Sequence, residues 1–116
     1  MRLHAKLREA TMKLLRSALM ALALAAPAVS ASPFAKGDPA EGRKLHDKAC
    51  VSCHDSMFGA GKGLQIYDAD HRKIRHSFQL RQRVEACATQ NRAGWFEEEI
   101  EHVSRWLNDE FYRFTR

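Results

Sequence analysis

Residues 50 to 54 read Cys50-Val51-Ser52-Cys53-His54, and this string limits what the chain can fold into more than any other feature it has. Two thiols three residues apart match the two vinyl groups of one porphyrin, and a histidine beside the second thiol is then carried beneath the iron. Other uses of the pair compare poorly. A thioredoxin-like dithiol needs a βαβ setting and leaves His54 without a reason. Zinc would have to draw the adjacent Cys53 and His54 onto one ion, with Cys87 as a further ligand. A disulfide closing so short a loop would be strained. The string therefore predicts one covalent haem c, tethered by Cys50 and Cys53, with His54 as an axial ligand to its iron.

Haem of this kind is attached outside the cytoplasm, and the first 31 residues have the form of a cleaved secretory leader. Arg2, Lys6, Arg8, Lys13 and Arg16 make a positive n-region, Ser17 to Val29 an apolar Ala/Leu run, and Val29-Ser30-Ala31 a small-residue cleavage site. The apolar run is short for a bilayer span. Met12, followed by Lys13-Leu14-Leu15-Arg16, makes a more ordinary start than Met1. The expected location is the periplasm.

Removing the leader also removes most of the charge. Of 19 Lys and Arg and 14 Asp and Glu, five and one lie before residue 32, so residues 32–116 carry 14 positive against 13 negative charges. With no basic-aromatic interleaving, nucleic-acid binding is not expected. Eighty-five residues allow one domain, residues 32–116, whose core is small enough to need a staple. A porphyrin would supply it.

The fold class expected is all-α, three to four helices around one covalently bound haem. Residues 32 to 38 read as a flexible lead-in. Asp38 as N-cap and Pro39 at the first helical position start a helix that runs to Ala49 and delivers Cys50 to the haem edge. Gly42, a poor helix former, fits there if a neighbouring helix approaches closely. From Asp55 to Asp70 no helical period is seen. Gly59, Gly61 and Gly63 mark a loop, with Met57, Phe58, Leu64, Ile66 and Tyr67 available to face the ring. A second helix is expected from Ser77, as N-cap, to about Gln90, with Leu80, Val84 and Cys87 on one face. Arg72, Lys73, Arg75, Arg81, Arg83 and Arg92 stand around it against Glu85 alone. These charges suit a solvated face, a docking patch for an acidic partner, or the haem propionates. A last helix is expected from about Trp95 to Arg113, with Glu97, Glu98 and Glu99 at its positive end and Phe96, Ile100, Val103, Leu107, Phe111 and Phe114 as its apolar stripe.

The ligand opposite His54 decides the chemistry. Small electron carriers use a methionine well downstream, but Met57 is the last methionine of the chain and lies too close to His54 to reach the other face. Cys87, His71, His76 and His102 remain. The histidines read best as surface residues. Cys87 is an unpaired third cysteine on an inward face, which makes it either the ligand or an inert buried thiol.

Beyond the haem motif the chain carries Tyr67, Arg72-Lys73-Ile74, Leu80-x-x-x-Val84-x-x-Cys87, Trp95-Phe96-x-x-Glu99-Ile100, Trp106-Leu107-Asn108 and Phe111-Tyr112-x-Phe114. With Cys50 to His54, these residues resemble a family of small exported mono-haem cytochromes, the purple and green haem proteins with His/Cys-ligated iron. The Gly-rich Phe58 to Gly63 segment is longer than the family's pattern. The resemblance implies that Cys87 is the distal ligand. It also implies association with a copy or a related subunit, and nitric oxide or carbon monoxide as ligands.

Three functions follow, in order of preference. The first is a periplasmic electron carrier cycling Fe(III)/Fe(II) with a redox partner protein that the sequence does not name. The second is a gas-binding or sensing protein whose cysteine leaves on reduction. The third is a haem enzyme, such as a peroxidase, for which Asp70 and His71 offer the one acid/base pair in view. The need for a staple makes a direct prediction: without haem attachment, circular dichroism of residues 32–116 will lack the helical spectrum of the haem-bearing protein.

Overall fold

A computed structural model describes the backbone of residues 2–21 and 31–116, with side chains at 2–14 and 31–116. The apolar run beyond Ala21 and the cleavage site through Ser30 lie outside the described residues. Among those described, every regular element is helical and no strand occurs. The α-helices are α1 Arg2–Ala21, α2 Pro39–Ala49, α3 Val51–Phe58, α4 Ser77–Gln90 and α5 Glu97–Leu107. A 3₁₀ turn at Gly63–Tyr67 and a π turn at Asn108–Tyr112 complete the order. The side chains described in α1 are exposed, and among the described residues no helix is long and apolar enough to cross a membrane.

Local chemistry explains where α2 begins. The Asp38 carboxylate accepts hydrogen bonds from the backbone N–H groups of Ala40 and Glu41 at 2.8 and 3.2 Å, and Pro39 occupies the first position. The helix then crosses α5, the most extensive packing in the domain. Gly42 makes the crossing close: a Cβ there would fall inside the His102 carbonyl group and meet Trp106 Cβ at 3.0 Å. One residue, Cys50, separates α2 from α3, and its carbonyl accepts from the His54 N–H at 3.2 Å.

The stretch after the haem motif is more ordered than a loop. Residues 55 to 58 continue α3, and Gly63–Tyr67 forms the 3₁₀ turn. Asp55 explains the order. Its carboxylate accepts from the N–H groups of Gly61 at 3.0 Å and Gly63 at 2.8 Å, folding the glycine run back over α3. Gly59 and Gly61 supply the positive φ angles that the fold-back needs, at 106° and 74°.

Three other expectations are corrected. The lead-in is anchored: Phe34 is 4% exposed and belongs to the core, with a turn closed by Gly37 N–H to its carbonyl at 3.1 Å. His76, not Ser77, holds the N-cap position of α4. The last helix starts at Glu97 and ends as an α-helix at Leu107. Phe96 is its N-cap, in extended conformation, with its N–H bonded to the Glu99 carboxylate at 2.9 Å. Its side chain leaves before the helical phase begins and is 79% exposed.

Beyond Leu107 the chain widens into the π turn, and Arg113 reverses it in the left-handed region at φ 60°. The Asn108 side chain secures the reversal by bonding the N–H and carbonyl of Phe114 at 2.9 and 3.0 Å. Phe111 and Tyr112 are thereby brought against Tyr67, at ring distances of 5.0 and 6.3 Å. The core these elements enclose includes Phe34, Tyr67, Leu80, Val84, Ile100, Val103, Trp106 and Leu107.

Replacing Gly42 by Ala tests the crossing. Neither helix backbone can yield cheaply, so the variant should lose about 3 kcal/mol in urea unfolding, at the upper end for overpacking.

Candidate haem site

Two packed units leave a gap between them. α3 lies on the 3₁₀ turn and α4 on α5, and the residues these units turn toward each other line one cavity of about 460 Å³. That size falls within the roughly 300–1,000 Å³ range of cofactor pockets. Ile66, Ile74, Leu80, Val84 and Leu107 make much of its lining apolar. Cys50, Cys53, His54 and Cys87 all open onto it, although Cys87 is 33 residues beyond His54 in the chain.

His54 is half-buried, and one edge of its ring is already engaged. Its Nδ1 lies 3.4 Å from the Tyr67 hydroxyl, leaving Nε2 for a metal. Tyr67, 9% exposed, also bonds His46 Nε2 at 2.8 Å. His46 is fully buried, with its ring 4.7 Å from that of Trp106 and 5.9 Å from that of His54. Burial, reinforced by the nearby His54, lowers the His46 pKa to about 4, while Asp47 pulls weakly the other way. Burial also lowers the pKa of His54 and raises that of the Tyr67 phenol, so all three groups are neutral near pH 7. Sequence reasoning missed His46. The available signal was its position four residues after Gly42, which places both on the helix face that meets α5.

The cysteines are free thiols. Burial, with Cys87 and Cys53 close by, pushes the Cys50 thiol up to about 11. Cys50 is therefore not the low-pKa thiolate on which dithiol redox exchange depends. Among the described residues no three His, Cys, Asp or Glu side chains gather as a metal centre would require. The four candidate residues thus surround a space instead of meeting at a point.

Of the candidates opposite His54, two are placed elsewhere. His102 accepts the Asp38 N–H on Nδ1 at 2.8 Å, which ties α5 to the start of α2. His76 is exposed at the α4 N-cap. His71 does reach the cavity, but its ring stands edge-on to Phe58 at 5.2 Å, one turn beyond His54 on the same helix. Met57 also belongs to that helix and is 63% exposed. Cys87 comes from α4, a separate element. Burial raises its thiol pKa, and Arg83 partly offsets the rise.

The basic stretch divides between two tasks. Arg81 pairs with Glu97 and Glu101, joining α4 to α5. Arg72, Lys73 and Arg83 line the cavity, where they could meet the carboxylates of a haem. Arg72 is held in place by a 2.5 Å bond to the Phe111 carbonyl and by the face of Tyr112, 5.2 Å away. Free thiols, an available imidazole nitrogen, apolar walls and these cations together fit a covalent haem c.

His46 should leave a signature in the pH dependence of stability. Its folded pKa of about 4 lies below the unfolded value of about 6.5, so acid favours the unfolded chain. This contribution is complete above pH 7 and is lost as pH falls from about 6.5 toward 4, by up to about 3 kcal/mol. Urea unfolding of the haem-bearing protein at pH 7.5 and 4.5 will show the loss, and His46→Gln will reduce it.

Compared with protein-family models, curated proteins and solved structures, the chain matches none, and the reading of this site rests on its own residues.

Proposed function

We propose that the chain is an exported, periplasmic c-type cytochrome that holds one haem c and transfers single electrons between partner proteins. Cys50 and Cys53 would tether the group, and His54 and Cys87 would ligate its iron. The observation that carries this reading is that three cysteines and His54, supplied from both sides of a gap, line one apolar cavity edged by cations.

When bound, the group supplies a one-electron ferric/ferrous couple. The chain's residues hold it, orient it and keep water away. Leu80 and Val84 from α4 and Val103 and Leu107 from α5 are buried beside the site and lower its polarity. Cys50 is half-buried whereas Cys53 is exposed, so the tethered edge nearer Cys53 is the short path for electrons to leave. An anionic Cys87 favours ferric over ferrous iron and lowers the potential relative to a thioether.

One observation favours a second reading, the binding of nitric oxide or carbon monoxide. In this pocket burial favours the protonated form of Cys87, and a thiol is a weak ligand. Loss of positive charge on reduction would let Cys87 take up a proton and withdraw.

Absorption spectra of the ferric protein, after dithionite and then after carbon monoxide, separate the two. A carrier gives a six-coordinate ferrous spectrum that the gas leaves unchanged, and this is the expected result. A shifted Soret band selects gas binding. Cys50→Ser with Cys53→Ser abolishes covalent colour, and Cys87→Ala removes the ferric thiolate signal in electron paramagnetic resonance. A colourless product from cells with intact haem ligation would overturn both readings, and an unchanged Cys87→Ala spectrum would overturn the thiolate assignment.

A further inference from the structure

The haem reading assigns roles to His54 and the cysteines but none to His46 or to the Tyr67 hydroxyl. Neither group belongs in a core for packing alone. Phe would fill either position without a polar atom, yet a fully buried imidazole sits on α2 with a phenol bonded to it. His46 Nδ1 has no hydrogen-bond partner among the described residues, its nearest carboxylate being Asp47 at 3.7 Å.

We infer that Tyr67 and His46 are positioning residues for the axial imidazole: they fix the tautomer and ring plane of His54 and set how strongly it donates to iron. The inference rests on the proposed haem ligation by His54.

The direction of the hydrogen bonds carries the argument. An imidazole that ligates through Nε2 must carry its proton on Nδ1. His54 Nδ1–H therefore donates to the Tyr67 oxygen, and the Tyr67 O–H, having one proton, donates onward to His46 Nε2. His46 then carries its proton on Nδ1, the nitrogen that lacks a partner. Ligation selects this direction: reversed, His46 Nε2–H would donate to Tyr67, and Tyr67 would donate to His54 Nδ1, moving the His54 proton onto the nitrogen that iron needs. Donation from Nδ1, across 3.4 Å, raises the basicity of the ring, which strengthens its bond to the metal and favours the ferric state. The 3₁₀ turn that carries Tyr67 lies close against His54, since a Cβ at Gly63 would meet His54 Cβ at 2.8 Å.

The test uses haem-bearing protein with Tyr67→Phe, His46→Phe and His46→Gln, read by midpoint potential. Tyr67→Phe and His46→Phe should each raise the potential, by roughly tenfold in the ferrous-to-ferric ratio at a fixed poise, about 59 mV for one electron. Gln restores an acceptor for Tyr67 and should return the potential toward the wild type. In a Cys87→Ala background, resonance Raman of the dithionite-reduced protein adds a readout that needs no change at Tyr67 or His46. Its iron–imidazole stretch should lie above that of haem bearing neutral imidazole without a strong acceptor, and Tyr67→Phe should lower it. A coloured Tyr67→Phe protein with unaltered potential and stretch overturns the inference and leaves haem ligation standing, whereas a colourless wild type overturns the ligation itself. If the phenylalanine variants do not fold, a wild-type stretch in the neutral, unbonded range is sufficient to overturn the inference.

Discussion

The contact between α2 and α5 at Gly42 is the constraint on which the remaining geometry depends. Backbone there meets backbone, and the neighbouring approach at Gly37 is of the same kind: a Cβ at that position would meet Arg105 Cβ at 2.6 Å. Two glycines five residues apart thus seat both the lead-in and α2 on α5. Since α2 continues into α3 across a single residue, the same seating fixes the distance from the crossing to Cys50, Cys53 and His54. α5 in turn places Val103 and Leu107 in the cavity wall and Trp106 against His46. One helix pair therefore positions both the tethering motif and part of the lining it faces.

Much of this was legible in the sequence, for identifiable reasons. Asp38 and Pro39 state the start of α2 through chemistry confined to a few adjacent atoms, and Gly42 signals close approach because glycine is otherwise costly within a helix. The Leu80 and Val84 spacing marks the inner face of α4, and both residues are buried. Illegible features were those that no hydrophobic period announces. Phe34 becomes core only because α5 and the chain end close over it, Arg116 N–H reaching the Ala31 carbonyl at 3.2 Å. The π turn depends on Asn108 finding Phe114, a local match that no hydrophobic period announces. The spacing of Phe96 from Ile100 places it on the apolar stripe, but spacing does not reveal that the helix begins one residue later. His46 is marked only by its distance from Gly42, since a lone histidine in a polar helix carries no sign of burial.

A small domain gives up stability to keep that histidine. An unpartnered buried ring nitrogen costs about 1–3 kcal/mol, and an apolar side chain of similar size would instead gain about 1.5–3 kcal/mol from burial. Against this stand one good hydrogen bond to Tyr67 and the packing of Trp106. The sum is unfavourable for a core of this size, in a chain already expected to need a covalent cofactor for stability. A polar pair retained under those terms is better explained by what it does to the imidazole beside it than by what it does for the fold.

Cys87 can be weighed in the same way. Leu80, Val84 and Cys87 share one face of α4 at i, i+4 and i+7, and all three line the cavity that Cys50, Cys53 and His54 share. Leu80 and Val84 are buried in the core, whereas Cys87 is only half-buried, which leaves its sulfur on the cavity side instead of sealed in the packing. Burial there raises the thiol pKa, so without a cation the site holds a neutral thiol at little cost. In the proposed cytochrome Cys87 would be held as the anion by ferric iron, and less firmly after a loss of positive charge. A ligand made this conditional on the charge of the metal joins coordination to oxidation state. The joining is the physical property on which both proposed functions draw, the carrier through a lowered potential and the gas-binding protein through an opened site.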